Sequence, residues 1–227
     1  MLIDKSYFEG KSIDQMVHTH LSELVLIDMA LTWDQIDILS PTFLYVEKLY
    51  LVRNHCSKIC TQFPIKKVIW KNLRFLNLED NQIASWDELI GLRVLDGLTH
   101  LIVNKNFIQD IYYKPGFKNL KSLSFEDNLI STWDSFNALN EFDSRIQEIR
   151  VAGNPLFKSH AKDENQIIDM SREFEEEVNK AKCMAISKLE FLKKYNGTKI
   201  SENERKDVEL FYMKYTLETY LKEVLVV

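Results

Sequence analysis

Glycine, proline and cysteine are scarce in this sequence of 227 residues, which contains only 6 Gly, 4 Pro and 3 Cys. The low glycine and proline content argues against long flexible linkers. Three cysteines, a small and odd number, do not make a disulfide framework and fit a reducing compartment. The chain is long enough for one large domain or two small ones, and its 45% hydrophobic and 28% charged residues are ordinary for a globular protein.

Positive charge and long apolar runs are also lacking. The formal net charge is −5, so there is no overall basic field for nucleic acid. No window approaches 18 uninterrupted apolar residues, which a membrane span needs. The start, M-L-I-D-K-S-Y-F-E-G, has no apolar core or cleavage site of a signal peptide. We therefore expect a cytoplasmic protein that binds neither nucleic acid nor membranes.

The motifs of common enzymes and cofactor sites do not occur. There is no G-x-S-x-G around a nucleophile, and no G-x-x-x-x-G-K or G-x-G-x-x-G to cradle phosphates. His18 and His20 form H-T-H, and Cys56 and Cys60 form C-x-x-x-C beside His55. A structural zinc needs four convergent ligands, and no second pair is spaced to complete either group. We expect no enzyme, no metal site and no cofactor.

An internal repeat is the strongest signal in the sequence. The pattern L-x-x-L-x-L-x-x-N, in which Val, Ile or Phe can replace Leu, begins at residues 46, 73, 98, 120 and 146. A sixth copy begins at 21 with Met29 in the Asn position. The intervals are 25, 27, 25, 22 and 26 residues. This period is typical of leucine-rich repeats.

The repeat predicts an α/β leucine-rich repeat solenoid of about six repeats. The L-x-L core is a short strand, and one strand per repeat makes a parallel sheet on the concave side. W-D-E-L-I-G-L and W-D-S-F-N-A-L predict short helices on the convex side, with Asp87 and Asp134 in their first turns. The Asn amide can satisfy backbone groups of neighbouring turns, which predicts a ladder. Its members are Asn54, Asn81, Asn106, Asn128 and Asn154.

One stretch is written almost identically twice, as E-D-N-Q-I-A-S-W-D at 79–87 and E-D-N-L-I-S-T-W-D at 126–134. The isoleucine two positions after the Asn is predicted to fill the inside of the turn that follows the strand. Packing between repeats is a better interpretation of Trp86 and Trp133 than an aromatic cage. The Glu-Asp pairs recur at equivalent strand ends, which favours a solvated face over carboxylate catalysis.

The ends of the chain differ from its middle and predict four segments. Residues 1–20 form an N-terminal segment, 21–158 the repeats, 159–215 a helical C-terminal cap and 216–227 a tail. Within the cap we expect a buried helical stretch from Ala185 to Leu192 and a turn at Asn196–Gly197. Ser201 and Glu204 have capping-box spacing and predict the start of a final helix. Such a cap covers the open core of the last repeat.

The candidate binding site is the concave face, because curved solenoids hold macromolecules on that surface. The variable positions of the strands mix charges with exposed apolar side chains, which indicates a protein-binding scaffold. The candidate residues are Glu47, Tyr50, Arg53, Arg74, Phe75, Asn77, Glu79, His100, Ile102, Lys121, Glu126 and Arg150.

Several blocks resemble one family, tubulin-folding cofactor E. They are L-V-L-I-D-M-A-L-T-W at 24–33, V-E-K-L-Y-L at 46–51, L-I-V-N-K-N-F-I at 101–108 and L-I-S-T-W at 129–133. The residues at 186–215, I-S-K-L-E-F-L followed by N-G-T-K-I-S-E-N-E-R-K-D-V-E-L-F-Y-M-K-Y, resemble the cap after the family's repeats. The resemblance covers about residues 20–215 and rests on the order of the repeats together with this cap.

The resemblance implies a chaperone module that binds α-tubulin and the tubulin-folding cofactors B, C and D, in a cytoplasmic, cytoskeleton-associated protein. The family also has a cap-Gly domain that grips the tubulin tail and a ubiquitin-like domain. Neither has a counterpart in these residues, so we expect a fragment, a truncated product or a cofactor E-like relative. The alternative is an adaptor of the phosphatase or spliceosome type; the irregular repeat intervals favour cofactor E.

Overall fold

The computed structural model describes residues 20–59, 70–142, 144–157 and 170–225, without the side chains of 170–178, 223 and 225. His18 and Cys60, which the sequence raised as metal-ligand candidates, lie outside the described residues. The predicted leucine-rich repeat architecture is confirmed. One short strand per repeat stacks into a sheet, and the convex side carries helices and turns.

Six parallel strands come from the six predicted repeats, each centred on the middle leucine or isoleucine of the pattern. Each strand pairs with the next in the same register, so Leu24, Leu49 and Leu76 lie side by side in one row. The central residue of every strand is buried, because it points into the core shared by neighbouring repeats. The strands are β1 Glu23–Val25, β2 Lys48–Tyr50, β3 Phe75–Asn77, β4 His100–Ile102, β5 Ser122–Ser124 and β6 Glu148–Arg150.

A hairpin extends this sheet beyond the repeats. Strand β7, Lys194–Tyr195, pairs parallel with β6, and β8, Thr198–Lys199, returns antiparallel to β7. Its turn lies at Asn196–Gly197, where the sequence predicted a turn; both residues have positive φ, 46° and 82°. The two strands were not predicted, because each is only two residues long.

The convex segments begin where the tryptophan positions predict helices. Helix α1 spans Trp33–Leu39 and is capped by a reciprocal Thr32–Gln35 box. A 3₁₀ helix spans Trp86–Val94, helix α2 spans Asp134–Asn140, and a short 3₁₀ turn spans Pro155–Phe157. Their inward sides are buried, at Ile36, Leu89, Leu92, Phe136 and Leu139.

The repeated asparagines are buried and bonded to the turns around them. Oδ1 of Asn106 accepts the N–H groups of Asn81 and Ile83 at 3.0 and 2.9 Å. Its Nδ2 donates to the carbonyls of Leu78, Val103 and Asn104. The amides at the other ladder positions bond the backbone of the preceding repeat in the same way; these are Asn54, Asn81, Asn128 and Asn154.

The residue before each of these asparagines has a left-handed backbone. Asp80 and Asp127, the second letters of the two E-D pairs, have φ of 57° and 54°. Aspartate tolerates this conformation better than most side chains, which gives the repeated Asp a backbone role. Gly153 fills the same position in the last repeat, where a Cβ would lie 1.9 Å from Oδ1 of Asp127. A larger residue there requires the side chain of Asp127 to move.

The cap consists of α3, Met170–Lys188, the β7–β8 hairpin and α4, Glu202–Leu225. The helical stretch predicted from Ala185 to Leu192 ends earlier, at Lys188, because the chain must turn into β7. Leu189 and Leu192 are nevertheless buried. Helix α4 continues ten residues past Tyr215, so the boundary predicted there between cap and tail falls inside a helix.

Arg205 joins the two helices of the cap. Its Nη1 donates to the carbonyls of Ile186 and Leu189 at 2.7 and 3.3 Å, and its Nη2 donates to that of Leu192. The carbonyl of Ile186 lies in the last turn of α3, and those of Leu189 and Leu192 lie in the turn that follows it. A cation there also suits the helix dipole. Arg205 therefore holds the end of α3 against the beginning of α4.

Candidate protein-binding face

Strand residues that point away from the core form the concave face, and the parallel register arranges them in two rows. The first row contains the first residue of each strand, and the second row contains the third. The first row reads Glu23, Lys48, Phe75, His100, Ser122, Glu148 and Lys194. The second row reads Val25, Tyr50, Asn77, Ile102, Ser124 and Arg150.

Three rings form a continuous strip across the middle of this face. The centroids of Tyr50 and Phe75 are 5.0 Å apart, and those of Phe75 and His100 are 6.2 Å apart. Tyr50 and Phe75 are partly exposed, and His100 is exposed. Aromatic side chains offer large contact area at low entropic cost, so they are common anchors of protein interfaces. We call these three residues the aromatic strip.

Charged pairs lie at both ends of the first row. Lys48 Nζ is 3.6 Å from a carboxylate oxygen of Glu23, and Lys194 Nζ is 3.3 Å from one of Glu148. Both lysines are more than half exposed, so these pairs contribute little to folding stability. They remain available to rearrange toward a partner's charges.

The edge at the carboxyl ends of the strands carries a linked set of polar side chains. Lys105 Nζ donates to Glu79 Oε1 at 2.6 Å, and Asn104 Nδ2 donates to Glu126 Oε2 at 3.2 Å. The hydrogen bond from Lys105 to Glu79 raises the pKa of the lysine, and the charge of Asp127 adds to this effect. This edge is thus acidic around one lysine that is already paired.

The candidates differ in how accessible they are. Five are exposed: Glu47, Arg53, Arg74, His100 and Arg150. Six are partly exposed: Tyr50, Phe75, Glu79, Ile102, Lys121 and Glu126. Lys121 is partly engaged within the fold, because its Nζ donates to the carbonyl of Ser144. Arg53 lies outside the two rows, at a left-handed position with φ of 53°.

Asn77 differs from the other eleven candidates. It is only 9% exposed, and its Oδ1 accepts the N–H of Glu79 at 2.9 Å. The Asn77 side chain is therefore turned onto its own backbone. Asn77 is therefore not part of the accessible concave face.

The hairpin adds residues to this face that the repeat pattern did not include. Lys194 lies beside Glu148 in the first row. The guanidinium of Arg150 lies over the hairpin, where a Cβ on Gly197 would be 3.2 Å from Nη2. Asn196 Oδ1 accepts the N–H of Val151 at 2.9 Å. The N-G dipeptide was the only sequence signal for this extension.

Burial shifts the pKa of several ionisable groups in the described part of the chain. Burial raises the pKa of the Asp37 carboxyl to about 6, although hydrogen bonds from Trp70 and Trp33 lower it. Burial also raises the pKa of the Cys56 thiol to about 12 and that of the Tyr195 hydroxyl above its usual range. A thiol with so high a pKa is a poor nucleophile.

The described residues were also compared with what a metal site and a membrane span require. Within the described ranges, no group of three or more His, Cys, Asp and Glu side chains converges as a metal site would require. None of the helices in the described part of the chain is long and apolar enough to cross a membrane.

Comparisons with curated proteins find relatives of one kind. Tubulin-folding cofactor E of Arabidopsis thaliana is 28% identical over 218 residues, covering 91% of this chain and 38% of that protein. The tubulin-specific chaperone cofactor E-like protein of Homo sapiens is 24% identical, and the match covers 89% of this chain and 44% of the human protein. Tubulin-specific chaperone E of Rattus norvegicus is 28% identical, and the match covers 86% of this chain and 34% of the rat protein. The chain spans less than half the length of these relatives.

Solved structures support the fold. The crystal structure of the Drosophila melanogaster SNF/U2A′ complex contains a chain that matches with a TM-score of 0.50 over 67% of this chain and 76% of that one. At 20% sequence identity this likeness shows the fold alone. No protein-family model matches the chain.

The relatives do not favour the alternative adaptor of the phosphatase or spliceosome type. Their matches extend over about nine-tenths of this chain, so they include the repeats and the cap together. The curated relatives of this chain are therefore tubulin-folding cofactor E and cofactor E-like proteins, as the resemblance of its repeats and cap implied.

Proposed function

We propose that this chain is a non-catalytic scaffold that binds α-tubulin on its concave face, as a chaperone module in the assembly or disassembly of tubulin heterodimers. The names of the curated relatives support the choice of partner. The choice of surface has an independent physical basis in the geometry of the concave face.

The aromatic strip is the observation that carries the proposal. Tyr50, Phe75 and His100 lie next to one another with their rings partly or fully open to solvent. The leucine core beneath the strip is complete without them, because the central strand residues fill it. An exposed strip of rings that folding does not need is typical of an interaction site.

The charges around the aromatic strip are expected to make its binding selective for particular partners. Glu47 and Arg74 lie immediately before strands β2 and β3, and both are exposed. An apolar centre with a charged rim excludes water from the central contacts and selects partners by charge. We therefore assign Phe75 the central contact and Arg74 a charged contact at the rim.

We extend the proposal to the tubulin-folding cofactors B, C and D as further partners, and to a cytoplasmic, cytoskeleton-associated location. The basis is the relatives' designation as tubulin-folding cofactors and chaperones. The non-catalytic role follows the same relatives. It also agrees with the burial of Cys56, whose thiol packs in the interior and has a raised pKa.

A binding experiment with purified components tests the proposal. The chain is immobilised, and α-tubulin released from heterodimers and cofactors B, C and D are passed over it one at a time. We expect retention of α-tubulin by the immobilised chain and none by an unrelated leucine-rich repeat protein. If α-tubulin and all three cofactors pass unretained, the tubulin assignment is wrong.

A further inference from the structure

Helix α4 presents apolar side chains on two opposite sides. One side packs against α3, and the other faces solvent. An ordinary cap helix needs only the first, because the second contributes nothing to covering the last repeat. The second side therefore calls for a separate explanation.

The side that faces α3 is defined by five residues. Arg205 bonds the end of α3, and Val208 is buried. Glu204 pairs with Lys182 at 2.6 Å, which lowers the pKa of the glutamate. Tyr212 and Tyr215 lie beneath the ammonium groups of Lys188 and Lys180, at 5.8 and 4.5 Å.

The opposite side is an exposed apolar stripe. At 3.6 residues per turn its centre lies roughly 180° around the helix from Val208. Its side chains are between 43% and 60% exposed, although each is large and apolar. We call this stripe the α4 seam; it consists of Leu210, Met213, Leu217, Tyr220, Leu221 and Val224.

The spacing of the α4 seam is that of a coiled coil. Leu210, Leu217 and Val224 recur every seven residues, and Met213 and Tyr220 lie three residues after the first two. This is the a and d pattern of heptads, in which side chains of two helices interlock. Leu221 widens the stripe at an e position. The preceding a and d positions are Asn203 and Lys206, so the apolar seam begins at Leu210.

We propose that the α4 seam binds a second copy of this chain as a short, parallel, in-register coiled coil. In that arrangement a g residue of one helix faces the e residue five positions later in its partner. Glu209 occupies g and Lys214 occupies e, and both are exposed. Each helix thus offers a glutamate to the lysine of the other, which makes two ion pairs related by the twofold axis.

These charges favour the parallel orientation over the antiparallel one. In an antiparallel pair g faces g and e faces e, so Glu209 and Lys214 do not meet. Within its own helix Lys214 is 3.9 Å from Glu218, and the two side chains are 77% and 55% exposed. That contact is long and exposed, so it does not hold Lys214 away from a partner.

The dimer is expected to be weak. Six apolar side chains from each copy make an interface at the small end of those that form specific complexes. None of the concave-face residues belongs to the α4 seam, so pairing leaves that assignment unchanged. Two copies joined in this way carry two concave faces, which increases avidity for a partner with two binding sites. The inference does not depend on the identity of that partner.

Sedimentation velocity over a range of concentrations tests the proposal. We expect a monomer–dimer equilibrium that the paired change Leu210→Asp with Leu217→Asp abolishes. The matched control is Phe107→Asp with Leu129→Asp, which replaces two similarly exposed apolar residues on the repeats and leaves dimerisation unchanged. A protein that is monomeric at every concentration, or a dimer insensitive to the seam change, overturns the proposal.

Charge exchange provides a second test that does not disturb the apolar seam. We expect Glu209→Lys and Lys214→Glu each to weaken self-association at least roughly tenfold, because each places like charges opposite one another. A mixture of the two variants forms heterodimers in which both pairs attract again, so association returns. If the mixture associates no better than either variant alone, the parallel in-register pairing is wrong.

Discussion

The backbone N–H of Asn81 donates a hydrogen bond to the side-chain oxygen of Asn106, 3.0 Å away in the next repeat. Asn81 in turn accepts the N–H of Cys56 and donates to the carbonyl of Leu51 in the repeat before. Neighbouring repeats are thus tied by buried polar groups as well as by apolar packing. The repeats hold the concave face in shape through these bonds.

Replacing Asn106 by alanine should destabilise the fold. The change leaves the N–H groups of Asn81 and Ile83 and the carbonyl of Leu78 without their partners. A buried polar group without a partner costs about 1–3 kcal/mol. We expect urea unfolding to show a loss of at least this size. Gln109→Ala, an exposed change three residues away, is the control and should stay within about 0.5 kcal/mol of the wild type. Equal stability of the two variants would contradict the ladder.

The two tryptophans of the repeated stretch should differ in their contribution to stability. Trp86 is 1% exposed, with ring centroids 5.8 Å from Phe117 and 6.2 Å from Phe142. Trp133 is only partly buried, against Phe136 and Phe157. We expect Trp86→Ala to cost about 3–5 kcal/mol and Trp133→Ala clearly less. Thermal unfolding measures both, and an equal loss of stability would argue against this difference in packing.

The partly buried Asp37 predicts how stability changes with pH. Its folded pKa, about 6, is above the unfolded value of 3.8, chiefly because of burial. The folded protein therefore binds more protons between these values, and this carboxyl lowers stability as pH rises from about 4 to 6. Asp37→Asn keeps an oxygen for Trp70 Nε1 and cannot ionise. At pH 7 we expect it to be more stable than the wild type by about 1 kcal/mol.

The pH series separates this effect from a general stabilisation. The stability difference between Asp37→Asn and the wild type should grow from pH 4 to pH 7. Asp110→Asn is the control, because Asp110 is exposed and lies in a different repeat. A difference that stays constant with pH would show that ionisation of Asp37 is not its cause.

Arg205 should be needed for the stability of the cap. Arg205→Met keeps much of the side-chain length but removes the donors to three carbonyls in the last turn of α3 and the turn after it. We expect a loss of about 1–3 kcal/mol, measured by urea unfolding. Lys222→Met, at an exposed position of the same helix outside the α4 seam, is the control and should be nearly neutral. If both variants unfold alike, the guanidinium does not hold the cap.

The strands of the repeats were predictable because burial dictates them. Leu76, Leu101 and Leu123 recur where each strand must point a side chain into the shared core, and any polar residue there would be costly. The same reasoning located Trp86 at a helix start. It did not distinguish a 3₁₀ helix from an α-helix, because the apolar spacing of so short a segment fits both.

The hairpin after α3 was harder to predict. Lys194 and Thr198 have no periodic pattern, and their strands exist because the edge of β6 offers unpaired backbone groups. The candidate face was predictable as a set of positions but not in its accessibility. Phe75 remains open, whereas Asn77, two residues later, is covered because its amide bonds the backbone of Glu79. The repeated Asp80 and Asp127 likewise have a backbone role that composition does not reveal.

The affinity of the chain for α-tubulin, measured by biolayer interferometry for matched pairs of variants, tests whether the concave face is the tubulin-binding surface. We expect Phe75→Ala and Arg74→Glu each to weaken binding at least roughly tenfold, as central interface residues do, without changing the melting temperature. Their controls are Phe107→Ala and Arg93→Glu, exposed residues away from the concave strands, which should bind like the wild type. Equal binding by all four variants would contradict the assignment of the concave face as the tubulin-binding surface.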